Sequence, residues 1–168
     1  MTSPDGITRT GPGGIWLIIA PLAVETVADR LADFEALVRG AREARAKAHA
    51  PYSRFQVGAA VLAEGRTFVG CNVENASYGA TLCAERNAIA SAVAAGYRRL
   101  DVVAVSTSAM SGASMDQRSP CGVCRQVISE FAKEDTLVLL DAGDAEDGRI
   151  QGEILAFDSL LPWRFRLG

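Results

Sequence analysis

Cys83-Ala84-Glu85-Arg86 opens a helical pattern over residues 82–95, and Pro120-Cys121-Gly122-Val123-Cys124 leads into a second one over 122–131. In the first pattern Ala84, Ala88, Ile89 and Val93 recur at helical spacing, and Gly96 stops the run. An apolar strand-like run precedes each helix: 67–73 before the first, after a polar loop at 74–81, and 100–105 before the second, after a loop at 106–119. Strands alternating with helices predict an α/β sheet protein, and in open α/β sheets sites form where strands give way to helices. Three cysteines thus fall at two helix starts. The free N–H groups and the positive end of the helix dipole favour a thiolate there.

A Cys-x-x-Cys pair spans one turn and can offer both sulfurs to one metal, and Cys83 supplies a third thiolate. Three protein ligands leave the fourth tetrahedral position of a zinc ion open to water, which is the mark of a catalytic site. Zinc lowers the pKa of that water from ~16 to about 7. Glu85, two residues after Cys83, is close enough to handle the water's proton without being a ligand. Taken alone, residues 120–124 also suit a dithiol redox motif or half of a structural zinc knuckle. A structural site wants a fourth protein ligand, and only His49 and Cys71 remain in the chain; Cys71 reads better as a small buried residue. A redox pair needs neither Glu85 nor a third cysteine.

With 168 residues, 49% of them hydrophobic and 22% charged, the chain suits one globular domain with a sizeable core. The net charge of -3 and the lack of a basic stripe argue against nucleic acid and for a small-molecule substrate. Four cysteines, three of them given to metal, point to a reducing, cytoplasmic setting. No apolar run reaches the roughly 20 residues needed to cross a bilayer, so no membrane partner is expected. Residues 15–20 have the length of a signal-peptide core, but only Arg9 precedes them as a basic residue.

Residues 1–30 read as a poorly ordered N-terminal extension, with Gly, Pro, Ser and Thr dominating 1–13 and an apolar part that docks on the body or on a neighbouring subunit. Residues 31–168 read as one domain. A helix is expected over 33–48, with Asp33 as N-cap, Phe34, Leu37, Val38, Ala41 and Ala44 on its apolar face, and Arg39, Arg42, Arg45 and Lys47 on a solvated one. Residues 56–63 and 67–73 read as a hairpin around Glu64-Gly65-Arg66. Further strands are expected at 136–140 and 150–155, separated by a solvated acidic turn at 141–147, with a short last helix stopped by Pro162.

Three runs carry a family resemblance: residues 50–59 (Ala-Pro-Tyr-Ser-Arg-Phe-Gln-Val-Gly-Ala), residues 70–79 (Gly-Cys-Asn-Val-Glu-Asn-Ala-Ser-Tyr-Gly), and residues 120–126 (Pro-Cys-Gly-Val-Cys-Arg-Gln). Together with Cys83-Ala84-Glu85 they match the all-cysteine form of the zinc-deaminase signature. From about residue 33 onward the chain resembles the homotetrameric cytidine deaminases. The resemblance implies a three-layer α/β/α sandwich around a mixed five-stranded sheet, and one Zn2+ per chain held by Cys83, Cys121 and Cys124. It implies that Phe55 packs near the base and that Asn72 and Glu74 bind the ribose hydroxyls. Ala84 adds to the substrate site. Ala76 and Tyr78 reach into a neighbouring subunit's site, and Phe165 stacks on a neighbour's pyrimidine. Arg86 bonds a ligating sulfur and offsets the net -1 charge of three thiolates on Zn2+.

The implied reaction is hydrolytic deamination of cytidine and deoxycytidine in pyrimidine salvage, with Glu85 moving protons between water, the ring and the departing amine. A blasticidin-type deaminase shares part of the pattern, but the run from Asn72 to Tyr78 fits the cytidine enzymes better. A non-catalytic zinc module is the reading from outside the enzymes.

Overall fold

The computed structural model describes residues 6–11, 14–19, 27, 30–109 and 113–167, without the side chains of 6–11 and Ala32. Its strands are β1 (Gly6–Gly11), β2 (Gly14–Ile19), β3 (Val57–Ala63), β4 (Arg66–Cys71), β5 (Leu100–Thr107), β6 (Ala132–Asp144) and β7 (Ile150–Ala156). Its helices are α1 (Leu31–Arg45), α2 (Ala84–Ala94), α3 (Gly122–Phe131) and α4 (Phe157–Leu160).

One mixed sheet runs in the order β1-β2-β7-β6-β5-β3-β4. Strands β5 and β6 are parallel, as are β2 and β7, while the other neighbours are antiparallel. Side chains alternate across it with period two. Ala59, Val61, Val103, Val105, Val138 and Leu140 face a cluster completed by Ala84, Ala88, Ile89, Ile128 and Phe157 from α2, α3 and α4. Ala60, Val102, Ala104, Leu137 and Leu139 face the other way, onto Phe34, Leu37, Val38 and Ala41 of α1. These faces are the three layers expected from the resemblance.

The expected five strands are β3 to β7; the sheet has seven because β1 and β2 extend it. Residues 14–19 lie parallel to β7, Ile15 opposite Gln151 and Ile18 opposite Ile154, so the open edge of β7 gains partners. Trp16 and Ile18 enter the core, with Trp16 fully buried and edge-on to Phe34. Gly152 makes room, since a Cβ there would lie 2.5 Å from the Trp16 ring. Within the expected extension, 6–11 and 14–19 are strands of the sheet; residues 1–5, 12–13, 20–26 and 28–29 lie outside the described residues. The expected docking of the apolar part on the body is what β2 does.

The acidic turn at 141–147 also differs from expectation. Strand β6 continues to Asp144, and Asp141 is buried. Arg42 donates to Asp141 from Nε (2.8 Å) and Nη2 (2.7 Å), and the Ser106 hydroxyl donates at 2.6 Å. Burial alone pushes the Asp141 carboxyl up, but Arg42 and Ser106 outweigh it and hold it below the usual range. Arg42 is thus a partner of the sheet and not part of a solvated face. Helix α1 starts after Arg30, and Asp33 sits in its first turn instead of capping it.

Candidate active site

Cys83 is the N-cap of α2 and Cys121 the N-cap of α3, with Cys124 in the first turn of α3. Gly70 seats α2 against the sheet: a Cβ there would lie 2.5 Å from the Ala88 nitrogen and 2.6 Å from the Ala84 oxygen. The loop before Cys83 is clasped by paired backbone bonds between Val73 and Leu82, of 2.9 and 3.0 Å. The Sγ atoms of Cys83 and Cys121 lie 4.0 Å apart, and all three sulfurs lie within 4.8 Å of one another. Sulfurs around a tetrahedral zinc at ~2.3 Å stand about 3.8 Å apart, so the donor set fits that ion. Cys71 stands outside the cluster, half-buried, its thiol turned to the Lys47 carbonyl.

The thiols are not equivalent. Hydrogen bonds from the Cys124 thiol and from Arg86 pull Cys83 down to about 5, while Cys124, paired with Cys83 and buried, is pushed up. Arg86 Nη2 lies 3.9 Å from the Cys83 sulfur and also bonds the Thr81 carbonyl. Its cation lies beside the cluster and offsets thiolate charge.

Glu85 is 4% exposed. Desolvation, helped by the Cys83 thiolate, raises its carboxyl to about 7. A carboxyl poised there can both accept and return a proton at neutral pH.

Cys83, Cys121 and Glu85 form the floor of a cavity of about 210 Å³, which Phe55, Asn72, Glu74, Ala84 and Thr107 also line. At its polar end Glu74 accepts from the Tyr52 N–H (2.9 Å), the Ser53 N–H (3.2 Å) and the Ser53 hydroxyl. The Ser53 hydroxyl, ahead of the backbone donors, lowers the Glu74 pKa and keeps the carboxylate charged. Asn72 accepts from the Val57 N–H at 2.8 Å and donates to the Phe55 carbonyl at 2.9 Å. One amide hydrogen and one lone pair remain for a ligand.

Ala76, Tyr78 and Phe165 do not line this cavity. Ala76 is exposed, Tyr78 is 66% exposed on a 3-10 turn beside Tyr52, and Phe165 is 67% exposed.

The profile "Cytidine and deoxycytidylate deaminase zinc-binding region" matches residues 32–140. A cytidine deaminase of Halalkalibacterium halodurans is 44% identical over 136 residues, 79% of this chain and 94% of that protein. The crystal structure of cytidine deaminase from Burkholderia pseudomallei superposes with a TM-score of 0.65 at 43% identity, covering 77% of this chain and 97% of that one. The corresponding structure from Mycobacterium tuberculosis gives a TM-score of 0.63 at 38% identity, over 80% and 98%. This chain belongs to the cytidine and deoxycytidylate deaminase family.

Zinc is the metal of a family member with this donor set, and the Cys83, Cys121 and Cys124 cluster is where the chain can hold it. The family profile begins at residue 32, after β1 and β2, so the part of the sheet built by 6–11 and 14–19 precedes the deaminase region. Ser53, Thr107, Gln117 and Ser119 also line the cavity and carry none of the roles expected from the sequence. Ser53 had a signal, since it stands in the turn after Pro51, where a short hydroxyl side chain commonly bonds neighbouring groups. Thr107 had none, because only its register opposite Val57 brings it to the site.

Proposed function

We propose that this chain is a zinc-dependent cytidine deaminase that hydrolyses cytidine and deoxycytidine to uridine and deoxyuridine, releasing ammonia, in cytoplasmic pyrimidine salvage. The observation that carries the reading is the buried Glu85 carboxyl, raised to about 7, beside a three-thiol cluster on the floor of a nucleoside-sized cavity. Zinc bound to Cys83, Cys121 and Cys124 would supply Lewis acidity that makes water a nucleophile near neutral pH. Glu85 takes a proton from the attacking water as its oxygen bonds to C4 of cytosine. It returns that proton to N3. It then carries the second proton to the amino group, the C4–N4 bond breaks, and ammonia leaves. Arg86 holds the Cys83 thiolate in its charged form.

Glu74, fixed as a carboxylate by Ser53 and the backbone, suits acceptance from the ribose 3′-OH. Asn72 offers its remaining hydrogen-bonding groups beside it. Such buried polar groups reject an analogue that leaves them unpaired. Phe55 and Ala84 flank the base. The exposure of Ala76, Tyr78 and Phe165 supports a homotetramer in which each chain completes a neighbour's site. Residues 31–168 form the deaminase domain, to which β1 and β2 are added. Among the described residues no helix is long and apolar enough to cross a membrane.

The test is ultraviolet absorbance of purified protein mixed with cytidine, deoxycytidine or free cytosine. Conversion of both nucleosides, lost on chelation and restored by zinc, is expected. A folded, zinc-loaded protein that leaves cytidine unchanged would overturn the reading.

A further inference from the structure

Arg118 lies three residues before Cys121, outside every motif singled out in the sequence, and is 6% exposed. Its guanidinium makes a two-pronged bond to Glu153: Nη2 donates to Oε1 at 2.7 Å and Nη1 to Oε2. Nη1 also donates to the Asp141 carbonyl at 3.4 Å and Nε to the Ala113 carbonyl at 3.2 Å. Glu153 sits on β7 with Leu17 of β2 opposite on one side and Leu140 of β6 on the other, so its backbone is fixed from both sides. Along the same short segment, Arg125 of α3 donates to the Pro120 carbonyl at 2.8 Å and to the Ser119 hydroxyl at 3.0 Å. The segment from Arg118 to Cys121 is therefore held between two guanidiniums. It carries one sulfur of the metal cluster and, with Gln117 and Ser119, one wall of the cavity.

We infer that the Arg118–Glu153 pair is a positioning device for the metal centre, which ties the Cys121 sulfur and the adjoining cavity wall to the middle of the sheet. The inference rests on the zinc deaminase reading and deepens it. A guanidinium–carboxylate fork fixes direction as well as distance. Groups that orient a ligating residue govern how firmly the metal stays, typically by 10- to 100-fold. Neither side chain touches substrate; both act through the backbone that presents Cys121.

The test compares wild type with Arg118→Met/Glu153→Gln, which removes both charges and so avoids stranding one in the interior. Zinc release to an excess of chelator, followed by a metal-sensitive dye well below the melting temperature, should be about tenfold faster in the double variant. KM for cytidine should rise more than kcat falls. If the double variant does not fold, Glu153→Asp, which keeps the charge but shortens the reach, takes the same release measurement. Release and KM within twofold of wild type, with at most a changed melting temperature, would overturn the positioning role while leaving the deaminase reading intact. Wild-type protein that takes up no stoichiometric zinc would overturn both.

Discussion

The two ends of the cavity are built differently. The floor comes from one chain: Cys83, Cys121 and the buried Glu85 line it from two helix starts, with Cys124 completing the sulfur cluster and Arg86 bonded to Cys83. The mouth is another matter: Tyr78 and Phe165, which the resemblance assigns to a neighbouring subunit's site, lie 66% and 67% exposed and away from their own cavity. In the proposed shared-site arrangement the chemistry would belong to the subunit and recognition partly to the assembly. Variants at the floor should abolish the reaction in any assembly state, whereas variants at the mouth should weaken binding.

The largest effect is expected for Cys121→Ala. It should lose zinc and all measurable turnover, as metal analysis and the absorbance assay would show together; stoichiometric zinc in this variant would remove Cys121 from the ligand set. Glu85→Ala comes next, with kcat falling about 10^4-fold while zinc stays at one per chain. Near-normal turnover would take Glu85 out of the mechanism.

Glu85 also predicts a pH effect on stability. Its carboxyl is raised from 4.5 to about 7 in the folded protein, so between those values the native state holds a proton that the unfolded state has released. The Glu85 contribution to the stability of metal-free protein should therefore fall as pH rises from about 4.5 to 7, opposite in sign to that of the lowered Cys83 thiol. Glu85→Gln should remove this dependence. In denaturant unfolding the metal-free variant should exceed metal-free wild type by up to about 3 kcal/mol at pH 8, and match it near pH 4. An equal difference at both pH values would contradict the buried, raised carboxyl.

The smallest effect is at the mouth. Phe165→Ala should raise KM for cytidine about tenfold with little change in kcat, through loss of stacking on a neighbour's base. A variant with unchanged KM would return Phe165 to the status of a tail residue and weaken the shared-site reading.

This contrast also explains what could be read from sequence. The floor was legible because its parts are short-range: Cys83 and Glu85 share one turn, as do Cys121 and Cys124, and the expected bounds of α3 agree with the structure. The hairpin of β3 and β4 was legible for the same reason. What escaped depends on distant partners. Residues 14–19 look like an apolar stray until β7 offers its edge and Gly152 offers space for Trp16. Asp141 stands in an acidic, glycine-containing run that resembles a solvated turn. Its burial depends on Arg42, 99 residues away in the chain. Arg118 and Glu153 are 35 residues apart and carry no local pattern. Asn72 was legible as polar and functional, but its bonds to Phe55 and Val57 show that it also holds the cavity's edge in place.

Adding zinc in measured steps to metal-free protein while following cytidine turnover would show whether each chain holds a single zinc-dependent reaction centre. Activity should rise in proportion to bound zinc and level off at one ion per chain, with uridine and ammonia formed in equal amounts. Full activity without zinc, or a fully loaded protein that produces neither product, would contradict it.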